Sequence, residues 1–194
     1  MSPALSANRV RVYIGSKLAA RATSEGRDVL LEMHQYGLVT AGCSIVCKKM
    51  QLVYDHHATW AHATLDVCNA YPTLGRLPSA DTLLHILEQY RLPVVFDTLC
   101  YFLIMYAEPG TGYFLAMQKL IVTLITDGID QGCPIGNWLY GLVVSYRVTT
   151  ALRRLFKPVA IAFIVDDQTL AAPIWHPTTG RLHHPAAWYL PHTF

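Results

Sequence analysis

The chain has 194 residues, of which 53% are hydrophobic and 14% are charged, and its formal net charge is +2. That length suits one domain, or one domain and part of another, and the charged fraction is well below the roughly 25% of an average soluble domain. Five irregularly spaced cysteines argue against a disulfide framework, the His and Cys spacings argue against a zinc site, and the small net charge neither supports nor excludes a nucleic-acid partner.

The first third of the chain predicts one short strand and three helices. Residues 10–14 alternate in hydropathy as a strand does, and helical spacing follows at residues 16–22, 28–36 and 44–57. No apolar run in the chain reaches the ~18 uninterrupted residues of a membrane span, and the basic residues near the start argue against a secretory signal. We therefore expect no membrane partner, and a nuclear or cytoplasmic location by default.

The middle third predicts a strand and two helices. The strand is expected at residues 62–68, and the helices follow a turn at about residues 79–90 and 93–106. The sequence Pro-Gly-Thr-Gly at residues 109–112 predicts another turn. Residues 113–126 mix helix-forming and strand-forming side chains, so they fit either structure.

The last third predicts a loop, a long helix and a hairpin. Residues 127–136 are rich in glycine and proline, and residues 135–155 form an amphipathic helical pattern. Strands are expected at residues 159–165 and 168–172, and an irregular tail from Pro173 onward. This order of elements predicts an α+β fold, with helices packed on a small antiparallel sheet.

Acidic residues stand out at two of the predicted strand ends. Asp66 interrupts an apolar strand segment, and Asp166 and Asp167 follow the apolar run 163–165. Carboxylates that are buried or close together are costly unless a cation binds them, and Mg²⁺ prefers such oxygen ligands. On these residues alone, a simple hairpin turn explains Asp166 and Asp167 at least as well, because turns favour Asp.

Three segments, in order, resemble the palm motifs of reverse transcriptases. They are residues 64–71 (Thr-Leu-Asp-Val-Cys-Asn-Ala-Tyr), 128–136 (Gly-Ile-Asp-Gln-Gly-Cys-Pro-Ile-Gly) and 163–167 (Phe-Ile-Val-Asp-Asp). Residues 35–52 also resemble the region before the first motif in retrotransposon enzymes. The likeness spans roughly residues 9–172 and is closest in character to non-LTR retrotransposons, those of trypanosomatids included.

The resemblance implies a polymerase palm with partial fingers and no thumb. Residues 1–60 would be the partial fingers region, 61–172 the palm and 173–194 the irregular tail. The implied activity is RNA-directed DNA polymerisation by two-metal nucleotidyl transfer, with an RNA template, a DNA primer and deoxynucleoside triphosphates as partners. We expect a fragment of a longer polyprotein that is weak or inactive alone.

The resemblance also assigns a metal site. Asp66 and Asp166 would bind two Mg²⁺ ions, for which Mn²⁺ could substitute. The Val67 carbonyl would also face a metal, and Asp167 would support the site.

Four further positions match nucleotide-binding residues of the family. Tyr71 would lie under the nucleotide sugar as a steric gate, although a core aromatic is the alternative. Gln131 and Gly132 would lie near the incoming nucleotide and the template base. Arg11 would contact the triphosphate, although a solvated charge explains this residue better.

Several departures from the family pattern leave catalysis open. Pro72 follows Tyr71 where related elements often have Asn or Asp, and Cys133 replaces an acid common in the second motif. One alternative is therefore a non-catalytic nucleic-acid-binding or interaction module derived from the same fold. An unrelated α+β interaction protein is a second alternative, and it would place Asp66 and Asp166 far apart.

Overall fold

The computed structural model describes residues 3–130, 132–155 and 160–173 of the chain. The predicted tail after Pro173 lies outside these residues. The elements follow in chain order: α1 (Pro3–Glu25), α2 (Arg27–Glu32), α3 (Gly42–His56), β1 (Trp60–Leu65), α4 (Arg76–Tyr90), α5 (Pro93–Tyr106), β2 (Gly110–Ala116), β3 (Lys119–Ile125), α6 (Gly136–Leu155), β4 (Ala160–Ile164) and β5 (Asp167–Pro173).

The first of two compact units comprises residues 1–25 and 69–136. In it α5 packs against both α1 and α4. Pro93 stands in the first turn of α5, where its missing N–H costs nothing. Along α5 the side chains buried in this unit are mostly apolar: Val94, Val95, Leu99, Tyr101, Phe102 and Tyr106.

The hairpin β2–β3 of the first unit is closed by a two-residue turn. Met117 and Gln118 have φ values of 49° and 64°, as a type I′ turn requires at both central positions. The register runs from Gly110 opposite Ile125 to Ala116 opposite Lys119. The turn and the β-branched residues of β3 resolve the ambiguity of residues 113–126 in favour of strands.

The second unit comprises residues 26–68 and 137–194. Its three-stranded antiparallel sheet has the order β1-β5-β4, and α3 packs against β4 through a cluster of Tyr36, Val46 and Ala162. Residues 138–145 of α6 are all buried, which is typical of a helix that is apolar around its whole circumference. The predicted α+β class with small antiparallel sheets is confirmed.

Three predicted elements are wrong in the structure. Residues 10–14 are helical within α1, because alternation over five residues does not distinguish a strand from one face of a long helix. Residues 109–112 were predicted as a turn, but β2 begins at Gly110. The second predicted helix ends at Glu32, and Gln35 forms a parallel bridge to Phe163 instead.

The predicted division into fingers, palm and tail stays a prediction. It names functional regions of a polymerase, whereas the two units are defined by how compactly the chain is packed. Each compact unit draws on two separated stretches of the chain. Among the described residues, no helix combines the length and apolarity needed to cross a bilayer.

Core packing of the second unit depends on Leu142, which is fully buried in α6. We expect Leu142→Ala to lower the free energy of unfolding by about 2–5 kcal/mol, through lost burial and the cavity left behind. The matched control is Leu77→Ala, since Leu77 is 84% exposed, and it should change stability little. Urea denaturation followed by circular dichroism measures both, and equal losses in the two variants would contradict the assignment.

Candidate functional site

The register of the second unit's sheet places the three predicted metal-binding acids at the same end of its strands. Leu65 of β1 lies opposite Gln168 of β5, and Asp167 begins β5 opposite Ile164. Asp66 directly follows Leu65 in the chain, and Asp167 directly precedes Gln168, the residue paired with Leu65. Asp166 lies in the turn between β4 and β5. We call Asp66, Asp166 and Asp167 the carboxylate edge.

The carboxylate edge is open to solvent, contrary to the expected burial of Asp66. The strand β1 ends at Leu65, and the Asp66 and Asp167 side chains are exposed, while Asp166 is partly exposed. Water therefore offsets much of the repulsion between the carboxylates. Exposure also leaves the oxygens accessible to a cation or to a phosphate-bearing ligand.

The donors of the carboxylate edge meet only part of what Mg²⁺ needs. Within residues 3–130, 132–155 and 160–173, no three His, Cys, Asp or Glu side chains lie close enough together to hold a metal ion. Mg²⁺ commonly binds to one or two carboxylates and takes its other ligands from water and substrate phosphates. Asp66 and Asp166, with the Val67 carbonyl, are donors of that kind. Their assignment as metal ligands stays a prediction.

The turn that carries Asp166 has an unusual backbone. Val165 has a φ of 58°, and a β-branched residue rarely adopts a positive φ. In a two-residue hairpin this first position is normally glycine, asparagine or aspartate. Such conformations persist only where surrounding contacts hold them, and they cluster at functional sites.

In the second unit, a partly buried lysine is hydrogen-bonded to the backbone of β4. Lys49 Nζ donates to the Ile161 carbonyl at 2.7 Å and to the Tyr36 hydroxyl at 3.3 Å, and lies 5.3 Å from the centre of the Tyr36 ring. Burial lowers the pKa of Lys49. Burial, followed by the charges of Lys49 and Arg153, also lowers the pKa of His34 to about 4. His34 is therefore neutral at neutral pH.

In the first unit, Arg11 holds the loop that precedes α6. Its guanidinium donates to the Asp130 carboxylate at 2.6 Å and to the Tyr106 hydroxyl at 3.1 Å, and it lies over the Tyr106 ring. The Tyr106 hydroxyl also accepts from the Asp130 backbone N–H. Burial lowers the pKa of Arg11, but the hydrogen bond to Asp130 and the neighbouring tyrosine more than offset it, so the pKa is raised.

A second arginine of the first unit fastens the same loop. Arg76 donates to the carbonyls of Gly128, Tyr106 and Glu108 at 3.0–3.2 Å, and its guanidinium lies 5.4 Å from the centre of the Tyr106 ring. Tyr106 is thus contacted by two arginines. Because its guanidinium is paired with Asp130 and its side chain is only 27% exposed, Arg11 is not the solvated charge that was the alternative prediction.

Tyr71 and Gly132 also belong to the first unit, and Val67 belongs to the second. Tyr71 is half-buried, and its carbonyl accepts from the Ile129 N–H at 3.0 Å. Gly132 has a φ of 84° with open space where a side chain would be, so its conformation and not crowding calls for glycine. Gln131 lies outside the described residues.

The structure adds residues that the sequence did not single out. Lys49 and Tyr106 lie at the centres of their polar networks, but a lysine in a helix and a tyrosine in an apolar segment give no sign of this in the sequence. Gln35 is fully buried within the second unit. Its one sequence signal was the Gln-Tyr-Gly at residues 35–37.

Comparisons with known proteins give a likeness of fold. No protein-family model and no curated protein matches the chain. The telomerase of Candida albicans, solved in complex with a TWJ fragment of telomeric RNA, is similar with a TM-score of 0.59 and 13% identity, over 87% of this chain and 32% of that chain. Apo telomerase of Candida tropicalis, truncated from its C-terminal domain, is similar with a TM-score of 0.50 and 12% identity, over 87% and 34%.

These likenesses show the fold alone, because the identities are low. Telomerase is a polymerase related to reverse transcriptases, so the fold is compatible with the predicted class. This chain spans about a third of the length of the telomerase chains. Neither structure bears on the predicted retrotransposon origin, which stays a prediction.

Arg11→Met tests the loop-holding role of Arg11, because it keeps the apolar stem and removes the guanidinium. We expect the backbone amides of residues 127–133 to exchange hydrogen about 5- to 10-fold faster, through loss of an ion pair and a cation–π contact. Hydrogen exchange read by mass spectrometry measures this. Arg9→Met, at an exposed position of the same helix, is the control, and equal exchange in both variants would refute the role.

The neutral His34 predicts a loss of stability in acid. Its pKa of about 4 in the folded protein lies below the ordinary 6.5, so the unfolded chain binds the proton first. Stability contributed by neutral His34 is present above pH 6.5 and is lost as the pH falls toward 4. In urea denaturation at pH 7.5 and 4.5, His34→Gln should show a smaller loss than the wild type. The exposed His85→Gln should keep the wild-type loss.

Proposed function

We propose that this chain is a reverse-transcriptase-like domain whose activity, RNA-directed DNA polymerisation by two-metal nucleotidyl transfer, is weak or absent in the isolated chain. The observation that supports the proposal most is the carboxylate edge, where a hairpin with two adjacent acids is paired with a strand that a third acid directly follows. The motif order along the chain and the fold likeness to telomerase support the same class.

The chain's own part in this chemistry is to collect and orient cations. Asp66 follows β1 directly and Asp166 lies in the turn between β4 and β5, so both acids are attached to strands whose backbones are hydrogen-bonded in one sheet. Asp167 adds negative charge next to them. When bound, two Mg²⁺ or Mn²⁺ ions would stabilise the attacking and leaving oxygens of phosphoryl transfer.

The nucleotide-binding roles are proposed on resemblance. Tyr71 would exclude a 2′-hydroxyl, and Gly132 with Gln131 would lie near the incoming base. The Arg11 guanidinium is already paired with Asp130, so a triphosphate contact would have to share or replace that ion pair. We therefore give Arg11 the loop-holding role first.

The proposed partners are an RNA template, a DNA primer and deoxynucleoside triphosphates. The Candida albicans telomerase structure contains an RNA fragment, which supports a nucleic-acid partner for this fold. Pro72 and Cys133 depart from the motifs at positions close to the proposed nucleotide-binding residues, and for that reason we propose weak activity. An origin in a retrotransposon polyprotein remains part of the proposal.

A second candidate function is binding of nucleic acid without catalysis. It is favoured by the absence of a ready three-acid metal cluster among the described residues. It predicts RNA affinity that is independent of the divalent cation and falls with salt according to the number of phosphates contacted.

Metal binding at the carboxylate edge distinguishes the two candidates. We expect Mn²⁺ titrations followed by electron paramagnetic resonance to show binding by the full chain. Asp66→Asn and Asp166→Asn should each weaken it at least about tenfold, because each removes a charged ligand. Asp81→Asn, on an exposed helix face, is the matched control.

Primer extension on an RNA template, with Mg²⁺ or Mn²⁺, completes the test. Traces of synthesis that Asp166→Asn abolishes would support the proposal. Robust synthesis by the isolated chain would contradict the proposed weak activity. Mn²⁺ binding equal in wild type and Asp166→Asn would rule out the metal site and leave nucleic-acid binding as the better candidate.

A further inference from the structure

A buried glutamine is hydrogen-bonded to the turn that carries Asp166. The Gln35 side chain is fully buried. Its Oε1 accepts from the Val165 N–H at 2.9 Å, and its Nε2 donates to the Val165 carbonyl at 3.3 Å. One amide group therefore satisfies both backbone polar groups of a single residue, and that residue has the positive φ.

Backbone bonds fix the position of Gln35 itself. The Tyr36 N–H donates to the Phe163 carbonyl at 2.8 Å, and the Phe163 N–H donates to the His34 carbonyl at 2.9 Å. Residues 34–36 thus run alongside β4 as a short parallel extension of the sheet. Because β4 leads directly into the turn, the segment that carries Gln35 is hydrogen-bonded to the strand that precedes Val165.

Two glycines of the second unit allow this arrangement. A Cβ on Gly37 would lie 2.6 Å from the Val165 backbone nitrogen, so no other residue fits without moving the turn. The Gly37 N–H also donates to Gln35 Oε1 at 3.0 Å. A Cβ on Gly141 of α6 would lie 3.1 Å from Gln35 Nε2. The amide is therefore enclosed and has little freedom to rotate.

From these contacts we propose that Gln35 is a positioning residue, which holds Val165 in its strained conformation and thereby sets the direction of the Asp166 carboxylate. The proposal rests on the proposed function, since Asp166 is there a metal ligand. Gln35 makes two backbone hydrogen bonds to Val165, and a buried N–H or carbonyl left without its partner is costly. Without the amide, the turn would relax toward conformations that β-branched residues prefer.

Gln35→Met is the principal variant, because methionine has a similar length and no amide. The matched control is Thr149→Val, which removes another buried hydrogen bond of the same unit, from Thr149 Oγ1 to the Met33 carbonyl. Both variants should lower stability. Gly37→Ala is a second variant, which displaces the turn while keeping the amide, in case Gln35→Met fails to fold.

Two readouts on the full chain separate positioning from stability. The first is hydrogen exchange at residues 164–168, and the second is the Mn²⁺ dissociation constant, both at a temperature where circular dichroism shows every variant folded. We expect Gln35→Met and Gly37→Ala to speed exchange in the turn and to weaken Mn²⁺ binding by about tenfold, the effect of one lost buried hydrogen bond. Thr149→Val should change neither.

The outcomes distinguish the proposals. If wild type binds Mn²⁺ through Asp166 and Gln35→Met binds it equally well, the positioning role is overturned while the proposed function stands. If Asp166→Asn shows that wild type has no such binding, the proposed function fails on that comparison alone. The proposed role of Gln35 in holding Val165 is then tested by hydrogen exchange at residues 164–168. Equal exchange rates in Gln35→Met and wild type would overturn that role as well.

Discussion

The arrangement of the second unit depends on the antiparallel register of β1 with β5. Side chains alternate between the two faces of a sheet, so a slip of one residue would turn the side chains of β1 to the opposite face and shift its end relative to the hairpin. The pairing from Trp60 with Pro173 to Leu65 with Gln168 fixes both the end of β1 and the start of the hairpin.

In the second unit, the stabilising burial and the strained backbone lie in different places. The buried segment of α6 and the apolar centre of β4 contribute the hydrophobic burial, while the turn at Val165 has an unfavourable backbone. Strain of this kind costs about 1–3 kcal/mol and persists only when its surroundings impose it. In this protein the surroundings are one buried amide, one glycine and a short parallel bridge. The turn at Val165 is thus hydrogen-bonded to a buried residue of the same unit.

In the first unit, too, polar side chains hold a loop in place, but there they are arginines and not an amide. The loop that precedes α6 is held by Arg11 and Arg76, whose guanidinium groups both lie within 5.6 Å of the centre of the Tyr106 ring. Guanidinium groups suit this role because they donate several hydrogen bonds in a plane and also stack on aromatic rings. The loop that resembles the second palm motif is therefore held by planar polar contacts, while its one exposed glycine keeps a positive φ.

The amino-acid sequence alone determined the fold class, the helices α3, α5 and α6, and the hairpin with Asp166 at its tip, because these depend on local periodicity and turn chemistry. The order of the three motifs along the chain also predicted a polymerase-like fold, with which the likeness to telomerase is compatible. Other features depended on tertiary contacts. Residues 10–14 lie within α1, which packs on α5, and the pairing of Arg11 with Asp130 joins residues 119 apart in the chain. The grip of Gln35 on Val165 joins residues 130 apart, and no spacing or propensity in the sequence encodes which buried amide meets which strained turn.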